Sequence, residues 1–264
     1  MLTSNPFSEL AVSISPGVMQ TYIFLSILLV IGGTIFDVIH KGSARYFFQN
    51  MQRSKKRERR TVEGGEKVAI AAKTIAHDVL ASGEFCNSNR RIAHLLGMYG
   101  FILFVISTAV MIFSYPTAGD STPVIWPLLW HLGALMVCVG GYWFWFFMRV
   151  EVAAEGASPF QLMKADLFVL SLLATTTFAL LWSFFQSVGA AGLGVFFFVL
   201  FIIAATILFG GVPWSKFAHM FFKPAAAFEK RLSEADGSLN NLPPPVDAPA
   251  KFGLGIKREP ARHY

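Results

Sequence analysis

The chain has 264 residues, of which 54% are hydrophobic and 14% are charged, and its mean hydropathy is +0.53. Soluble domains are rarely so apolar, and long uncharged runs indicate membrane spans. Two cysteines, Cys86 and Cys138, lie far apart and show no CxxC spacing. Their separation argues against a disulfide framework, a structural zinc site or an iron–sulfur cluster held by this chain alone.

Five apolar stretches are long enough to cross the hydrocarbon core of a bilayer, which takes about 20 residues. A backbone in lipid must satisfy its own hydrogen bonds, and the chain lacks an alternating strand pattern, so each stretch is predicted to be a helix. The predicted fold is an all-α integral membrane protein, a bundle of five transmembrane helices. The predicted spans are residues 18–39, 93–114, 124–148, 166–187 and 192–212.

The basic residues predict how the chain is oriented. Of the 22 Lys and Arg residues, twelve lie in 40–92, two in 149–165 and eight after residue 212. Because Lys and Arg accumulate in cytoplasmic loops, the N-terminus is predicted to lie outside and the C-terminus in the cytoplasm, in a multi-pass protein of the cell inner membrane. No Lys or Arg precedes the first apolar run, unlike in a cleavable signal peptide, so this span is predicted to be retained.

The segments between the spans divide the chain into five parts. In the second part, EKVAIAAKTIAHDVL has apolar residues at helical spacing and predicts an amphipathic helix along the membrane surface or against a partner. The basic cluster RSKKRERR lies beside a span, which favours anionic headgroups or an acidic partner subunit, and no nucleic acid is expected. The parts are an external N-terminus (1–17), the first span (18–39), a basic cytoplasmic loop (40–92), a four-span domain (93–232) and a cytoplasmic tail (233–264).

Two histidines are predicted at the cytoplasmic membrane boundary. Ionisable side chains near a span need a reason, because an isolated charge there is costly. His94 begins span two, and His219 follows span five in VPWSKFAHMFFKP, on the expectation that the fifth helix runs on through Pro213. Imidazole is the commonest axial ligand of membrane b-type haem. The pair is therefore either two unrelated interfacial histidines or the bis-histidine ligation of one haem b.

Residues near these histidines suit a haem but do not require one. Gly97 and Gly100 follow on the next turns of span two, where they leave room for a flat macrocycle or for close helix packing. Arg90 and Arg91 stand where haem propionates would emerge, and Lys216 is available from the other helix.

The remaining intramembrane histidines have weaker assignments. His40 closes span one and is an alternative haem ligand, while His131 lies roughly 10 Å into span three from the outside, without a histidine partner. For His131 the alternatives are a hydrogen bond to a helix neighbour and a contact with a quinone carbonyl. The many aromatic residues, as in YWFWFFM, are interpreted mainly as interface belt and lipid-facing bulk. The acidic residues lie at span ends or outside, which makes a small transporter the least favoured function.

Two stretches resemble a known family. IAHLLGMYGFILF and VPWSKFAHMFFKPAAAFEK resemble the five-helix cytochrome b subunits related to the gamma subunit of respiratory nitrate reductase, a superfamily that includes the membrane subunits of quinone-interacting oxidoreductase complexes. The resemblance implies that residues 93–232 are cytochrome b-like and that His94 and His219 ligate the haem nearer the cytoplasm. The family's second pair of histidines falls here on Phe104 and Phe201, so one haem is expected.

Two further stretches, DVIHKGSARYFFQN and ASGEFCNSNRRIAHLLGMYGF, resemble the membrane anchor found with dissimilatory adenylylsulfate reductase in sulfur-oxidising bacteria. The resemblance covers most of residues 35–232. It implies a non-catalytic anchor and electron-transfer subunit that links a cytoplasmic iron–sulfur flavoprotein to the quinone pool through haem b. The alternative is a haem-free structural anchor of the same complex.

Overall fold

The computed structural model describes residues 2–40, 43–83, 85, 87–149, 160–214 and 219–238. Within these ranges the regular elements are helices, and no strand is formed. They include a π-helical segment (Thr74–Leu80) and short 3-10 turns (Lys164–Asp166 and Val212–Trp214). The α-helices are α1 (Pro6–Leu10), α2 (Pro16–His40), α3 (Ser43–Lys55), α4 (Gly64–Lys73), α5 (Ser88–Ser114), α6 (Ile125–Phe147), α7 (Leu167–Ser187), α8 (Ala191–Gly210) and α9 (His219–Ala235).

Five helices, α2 and α5 to α8, are long and apolar enough to cross a membrane. They coincide with the five predicted spans, so the prediction of a helical, multi-pass membrane protein is confirmed for the described residues. Large apolar side chains point outward from them, as at Leu28 (62% exposed) and Val195 (63% exposed). Exposed apolar surface of this extent requires a lipid environment, because in water it would drive association.

The start of α5 differs most from its predicted position, since the helix begins at Ser88 rather than at residue 93. The side chain of Asn87 explains the earlier start. Its Oδ1 accepts hydrogen bonds from the backbone N–H groups of Asn89 (2.9 Å) and Arg90 (3.2 Å), which satisfies donors that an uncapped helix leaves unpaired. An N-cap therefore adds a polar turn that hydropathy does not detect.

The expected continuation of the fifth helix through Pro213 is wrong. Helix α8 ends at Gly210, a 3-10 turn covers Val212–Trp214, and the next described helix begins at His219. Proline lacks the N–H that the helix needs, and its ring clashes with the carbonyl four residues earlier. His219 therefore belongs to a separate helix and not to an extension of span five.

The chain divides into two compact units. The first, here called the bundle unit, comprises residues 1–38 and 92–218 and contains most of the membrane-length helices. The second, here called the polar unit, comprises residues 39–91 and 219–264, of which the described part includes α3, α4 and α9. The polar unit holds most of the Lys and Arg residues of the chain.

In the bundle unit, α5 and α6 approach each other through glycines. A Cβ added at Gly100 would lie 2.7 Å from the carbonyl oxygen of Gly133, and one added at Gly140 would lie 2.6 Å from the carbonyl oxygen of Ala93. Only the hydrogen of a glycine fits at such a distance. Small residues allow membrane helices to pack closely in the absence of a hydrophobic driving force. The order of these contacts makes the two helices antiparallel and fixes which face of α5 is turned away from α6.

The polar unit is held together by hydrogen bonds between its two chain segments. The hydroxyl oxygens of Ser54 and Ser233 are 3.1 Å apart, and both residues are buried. Arg60 Nε donates to the carbonyl oxygen of Ala235 at 2.7 Å, and the same guanidinium forms a two-point ion pair with Glu66. These contacts join the segment before α5 to the segment after α8.

Candidate functional site

His94 stands in the second turn of α5 with an exposed side chain. Its neighbour Ala93 is 4% exposed and packs against Gly140 of α6. One turn further, a Cβ added at Gly97 would meet no heavy atom within 4 Å, whereas Gly100 is committed to the close contact with α6. The His94 imidazole is therefore exposed one turn before Gly97, where the missing side chain leaves open space although the backbone nitrogen approaches Gly140 of α6.

His219, the other predicted ligand, is the first residue of α9. Its side chain and the whole of Lys216 lie outside the described residues, so haem ligation by this pair stays a prediction. Within the described ranges, no group of three or more His, Cys, Asp or Glu side chains could hold a metal ion. A bis-histidine haem requires only two protein ligands.

The other residues predicted near the haem lie close to helix ends. Arg91 Nε donates to the carbonyl oxygen of Ala81 at 2.7 Å, which ties the first turn of α5 to the chain that precedes it. Arg90 is half-buried on the same turn, and His40 is the exposed last residue of α2. Propionate binding by the arginines and ligation by His40 stay predictions.

His131 is buried in the bundle unit (1% exposed), and both of its ring nitrogens have partners there. Nδ1 is 2.7 Å from the carbonyl oxygen of Pro127, and Nε2 is 2.8 Å from the hydroxyl of Ser183. Because a carbonyl only accepts, Nδ1 carries the proton and the Ser183 hydroxyl donates to Nε2. A hydrogen bond to a helix neighbour is thus present, and a quinone contact would require one of these two bonds to break.

Phe104 and Phe201, where the resembling family has its second histidine pair, face each other in a buried aromatic cluster. Their ring centroids are 6.4 Å apart; Phe104 stacks on Trp130 at 5.2 Å, and Phe201 stacks on Trp182 at 5.7 Å. All four side chains are at most 5% exposed. Aromatic rings therefore fill the space between α5 and α8 at this level.

The N-terminal segment completes this cluster. Phe7 of α1 meets Trp130 and Trp182 edge to face, with centroid distances of 5.7 and 5.1 Å. Asn5 holds the segment in place: its Nδ2 donates to the carbonyl oxygen of Tyr115, and its Oδ1 accepts from the backbone N–H of Phe7, both at 3.0 Å. The interpretation of the aromatic residues as belt and lipid-facing bulk is wrong for these buried rings.

The run YWFWFFM is likewise only partly lipid-facing. Trp145 is 5% exposed, and the guanidinium carbon of Arg149 lies 4.2 Å from its ring centroid. Arg149 also donates through Nε to Asp166 Oδ1 at 2.9 Å and through Nη2 to the other oxygen of the same carboxylate. Since both charged side chains are at most 10% exposed, this pair connects the end of α6 to the start of α7 by a buried ion pair.

A second charge cluster lies in the polar unit, at the end of the π-helical segment. Arg231 of α9 donates to both oxygens of Asp78, at 2.5 and 2.8 Å, and His77 Nδ1 is 2.8 Å from Asp78 Oδ1. The hydrogen bonds from Arg231, and a smaller one from His77, lower the pKa of Asp78 from 3.8 to about 2 although burial opposes them. The carboxylate is therefore ionised at neutral pH and anchors α9 to this segment.

No family model, curated protein or solved structure matches the chain. The resemblance of its motifs to membrane cytochrome b subunits therefore stays a prediction. The described residues form a helical membrane domain with an aromatic interior and an exposed imidazole near the start of α5. The basic polar unit is continuous in sequence with the ends of the spans.

Proposed function

We propose that the chain is a membrane anchor and electron-transfer subunit that links a cytoplasmic iron–sulfur flavoenzyme, of the adenylylsulfate reductase kind, to the quinone pool of the cell inner membrane through one haem b. The proposal rests on the positions of two histidines. His94 lies near the start of α5, and His219 lies beyond the end of α8. If the five helices cross the membrane in turn, these two ends lie on the same face. Two imidazoles on one face of the membrane could supply the ligands of a membrane haem b.

The described residues fit a haem on the α5 side. His94 would be one axial ligand, Gly97 leaves open space beside it, and Arg90 on the preceding turn would pair with a propionate. His219 would supply the second ligand, and Lys216 would pair with a propionate. A haem in such a site passes one electron at a time, and the protein tunes its potential through the ligands and their surroundings.

The charge of the polar unit supports the docking of an acidic partner. Every Lys and Arg of the chain lies in a segment predicted to face the cytoplasm. A flavoenzyme with an acidic surface would be attracted to this region, and complementary charge mainly raises the rate of encounter and selects the partner. The densest part consists of exposed side chains that follow α3 or end it: Arg53, Lys55, Lys56, Arg57, Arg59 and Arg60.

The test of the haem is a reduced-minus-oxidised absorption spectrum of the purified full-length protein. We expect an alpha band at the b-type position with one haem per chain. His94→Ala and His219→Ala should each abolish the band, whereas His131→Ala should leave it, since the His131 nitrogens are bonded elsewhere. If His40→Ala loses the band and either His94→Ala or His219→Ala retains it, then His40 is the ligand in place of the histidine whose variant retains the band.

The alternative, a haem-free structural anchor, is distinguished by the same spectrum together with a binding measurement. A purified iron–sulfur flavoenzyme should bind the protein in lipid nanodiscs, and binding should weaken as ionic strength rises because exposed charges are screened. Intact protein without an alpha band that still binds the flavoenzyme would overturn the haem proposal and leave the anchor. Intact protein with neither property would overturn both.

A further inference from the structure

Helix α4 and its π-helical continuation, residues 64–80, expose their apolar side. Val68 is 69% exposed, Ile75 54% and Leu80 50%. The positions between them on the same side are alanines that are also exposed: Ala69, Ala72 and Ala76. We call these six residues the apolar stripe. No polar side chain interrupts this side of the helix from residue 68 to residue 76.

Three polar residues of the same helix are paired with other residues of the protein or are buried, whereas both lysines of this helix are exposed. Glu66 pairs with Arg60, Asp78 pairs with Arg231, and Thr74 is 2% exposed. A helix on the surface of a water-soluble protein turns its apolar side inward. The outward-facing apolar stripe of residues 64–80 therefore indicates contact with something other than water.

We infer that the apolar stripe rests on the lipid bilayer, at the boundary between the headgroups and the acyl chains, as an interfacial helix. The stripe is covalently close to a membrane span, because seven residues separate Leu80 from Ser88 at the start of α5. At full extension these seven residues reach about 25 Å. The stripe is thus always held near a bilayer surface, which gives this contact a high effective concentration.

The composition of the stripe favours lipid over a protein partner. Protein interfaces depend on Trp, Tyr and Arg anchors in desolvated pockets, and the stripe contains only Val, Ala, Ile and Leu. Its basic neighbours, Lys67 and Lys73, are exposed. Lysines beside an interfacial helix interact favourably with anionic headgroups. A bilayer surface satisfies both the shallow apolar stripe and these ammonium groups.

The inference is tested with spin labels on the full-length protein in vesicles of phosphatidylethanolamine and phosphatidylglycerol. In a Cys86→Ser, Cys138→Ser background, single cysteines replace Val68, Ala72 or Ile75, one at a time. Two matched references are Leu28→Cys, on the lipid-exposed side of α2, and Glu234→Cys, at an exposed polar position of α9. Collision with molecular oxygen reports lipid contact, and collision with a water-soluble nickel chelate reports contact with water.

At all three stripe positions we expect oxygen collision rates several-fold above the Glu234→Cys reference and nickel collision rates several-fold below it. The depth should be shallower than at Leu28→Cys, within about 5–10 Å of the headgroup boundary. Nickel collision rates equal to those at Glu234→Cys would place the stripe in water and overturn the inference. Exclusion of both reagents would also overturn it, because the stripe would then be covered by protein, either a partner or a second copy. None of these outcomes depends on whether the protein binds haem.

Discussion

The Nε2 atom of His131 and the hydroxyl oxygen of Ser183 are 2.8 Å apart inside the bundle unit, where His131 is 1% exposed and Ser183 3%. This hydrogen bond joins α6 to α7. A polar bond between transmembrane helices favours one rotational setting of the pair, because any other setting leaves a buried donor or acceptor without a partner. The same two helices are also joined by the Arg149–Asp166 ion pair beyond their ends.

A double-mutant cycle should measure the coupling between these two side chains. We expect His131→Ala and Ser183→Ala to be less destabilising together than the sum of their separate effects, by about 0.6–1.7 kcal/mol. The measurement is equilibrium unfolding in mixed micelles. Ser187→Ala is the control, since the Ser187 hydroxyl is exposed and donates to Phe184 of its own helix; its cycle with His131→Ala should give no coupling. Equal couplings in the two cycles would refute the specific bond.

Gly100→Ala should destabilise the bundle unit by overpacking. The added methyl group would lie 2.7 Å from the Gly133 carbonyl oxygen and 2.9 Å from the backbone nitrogen of Val137, and backbone atoms cannot rotate away. We expect a loss of about 1–3 kcal/mol, measured as a lower midpoint of thermal aggregation in detergent. Gly32→Ala is the matched helical control, because its methyl group meets nothing within 4 Å. Equal midpoints for the two variants would contradict the packing described for α5 and α6.

Phe7→Ala should destabilise the protein through the cavity that it leaves beside Trp130 and Trp182. Truncation of a buried Phe costs about 3–5 kcal/mol when the site cannot collapse, and Phe7 is 4% exposed. Tryptophan emission should shift to longer wavelength as water reaches the two indoles. Val12→Ala, at a position that is 87% exposed in the same segment, should change neither quantity. An unchanged emission spectrum in Phe7→Ala would show that α1 does not cover the cluster.

The contact between α9 and the π-helical segment should be lost in acid. Because the folded-state pKa of Asp78, about 2, lies below its ordinary value of 3.8, the ion pair stabilises the polar unit above about pH 4 and loses this contribution as the pH falls to about 2. Limited proteolysis by pepsin across this range should show faster cleavage of the polar unit. Asp78→Asn should be cleaved faster at the upper end and show a weaker pH dependence. Glu63→Gln, an exposed control, should behave like the unaltered protein; identical profiles for all three would contradict the role of Asp78.

Hydropathy was sufficient to locate the spans, because twenty apolar residues in a row have few other uses. Their ends were less predictable, since they depend on single side chains. Asn87 starts α5 a turn early through a cap, and Pro213 stops the chain from continuing as a helix. The predicted amphipathic segment is helical as expected. Which of its sides faces the protein was not predictable, because the residues that pair with its carboxylates, Arg60 and Arg231, lie outside it in the sequence.

The buried aromatic cluster was not predictable from the sequence for a related reason. In a membrane protein both the lipid-facing and the inward-facing sides of a helix are apolar, so periodicity does not separate Phe201, which is buried, from Phe196, which is exposed. Phe7 lies in a short polar-flanked segment that gives no hydropathy signal at all. Side-chain contacts between distant segments decide these positions, and the single sequence does not record such contacts.

The contact of Phe7 with Trp182 has a consequence for how the protein is made. The segment that contains Phe7 is synthesised before the membrane-length helices, whereas the indole that it covers belongs to α7 and is synthesised some 175 residues later. During most of translation the segment has only part of its final surroundings, and the inner face of α6 stays uncovered. Closure of the bundle by α1 is therefore a late step of biogenesis, after the insertion of α7, and a chain stalled before that point displays buried tryptophan surface to the quality-control machinery of the membrane.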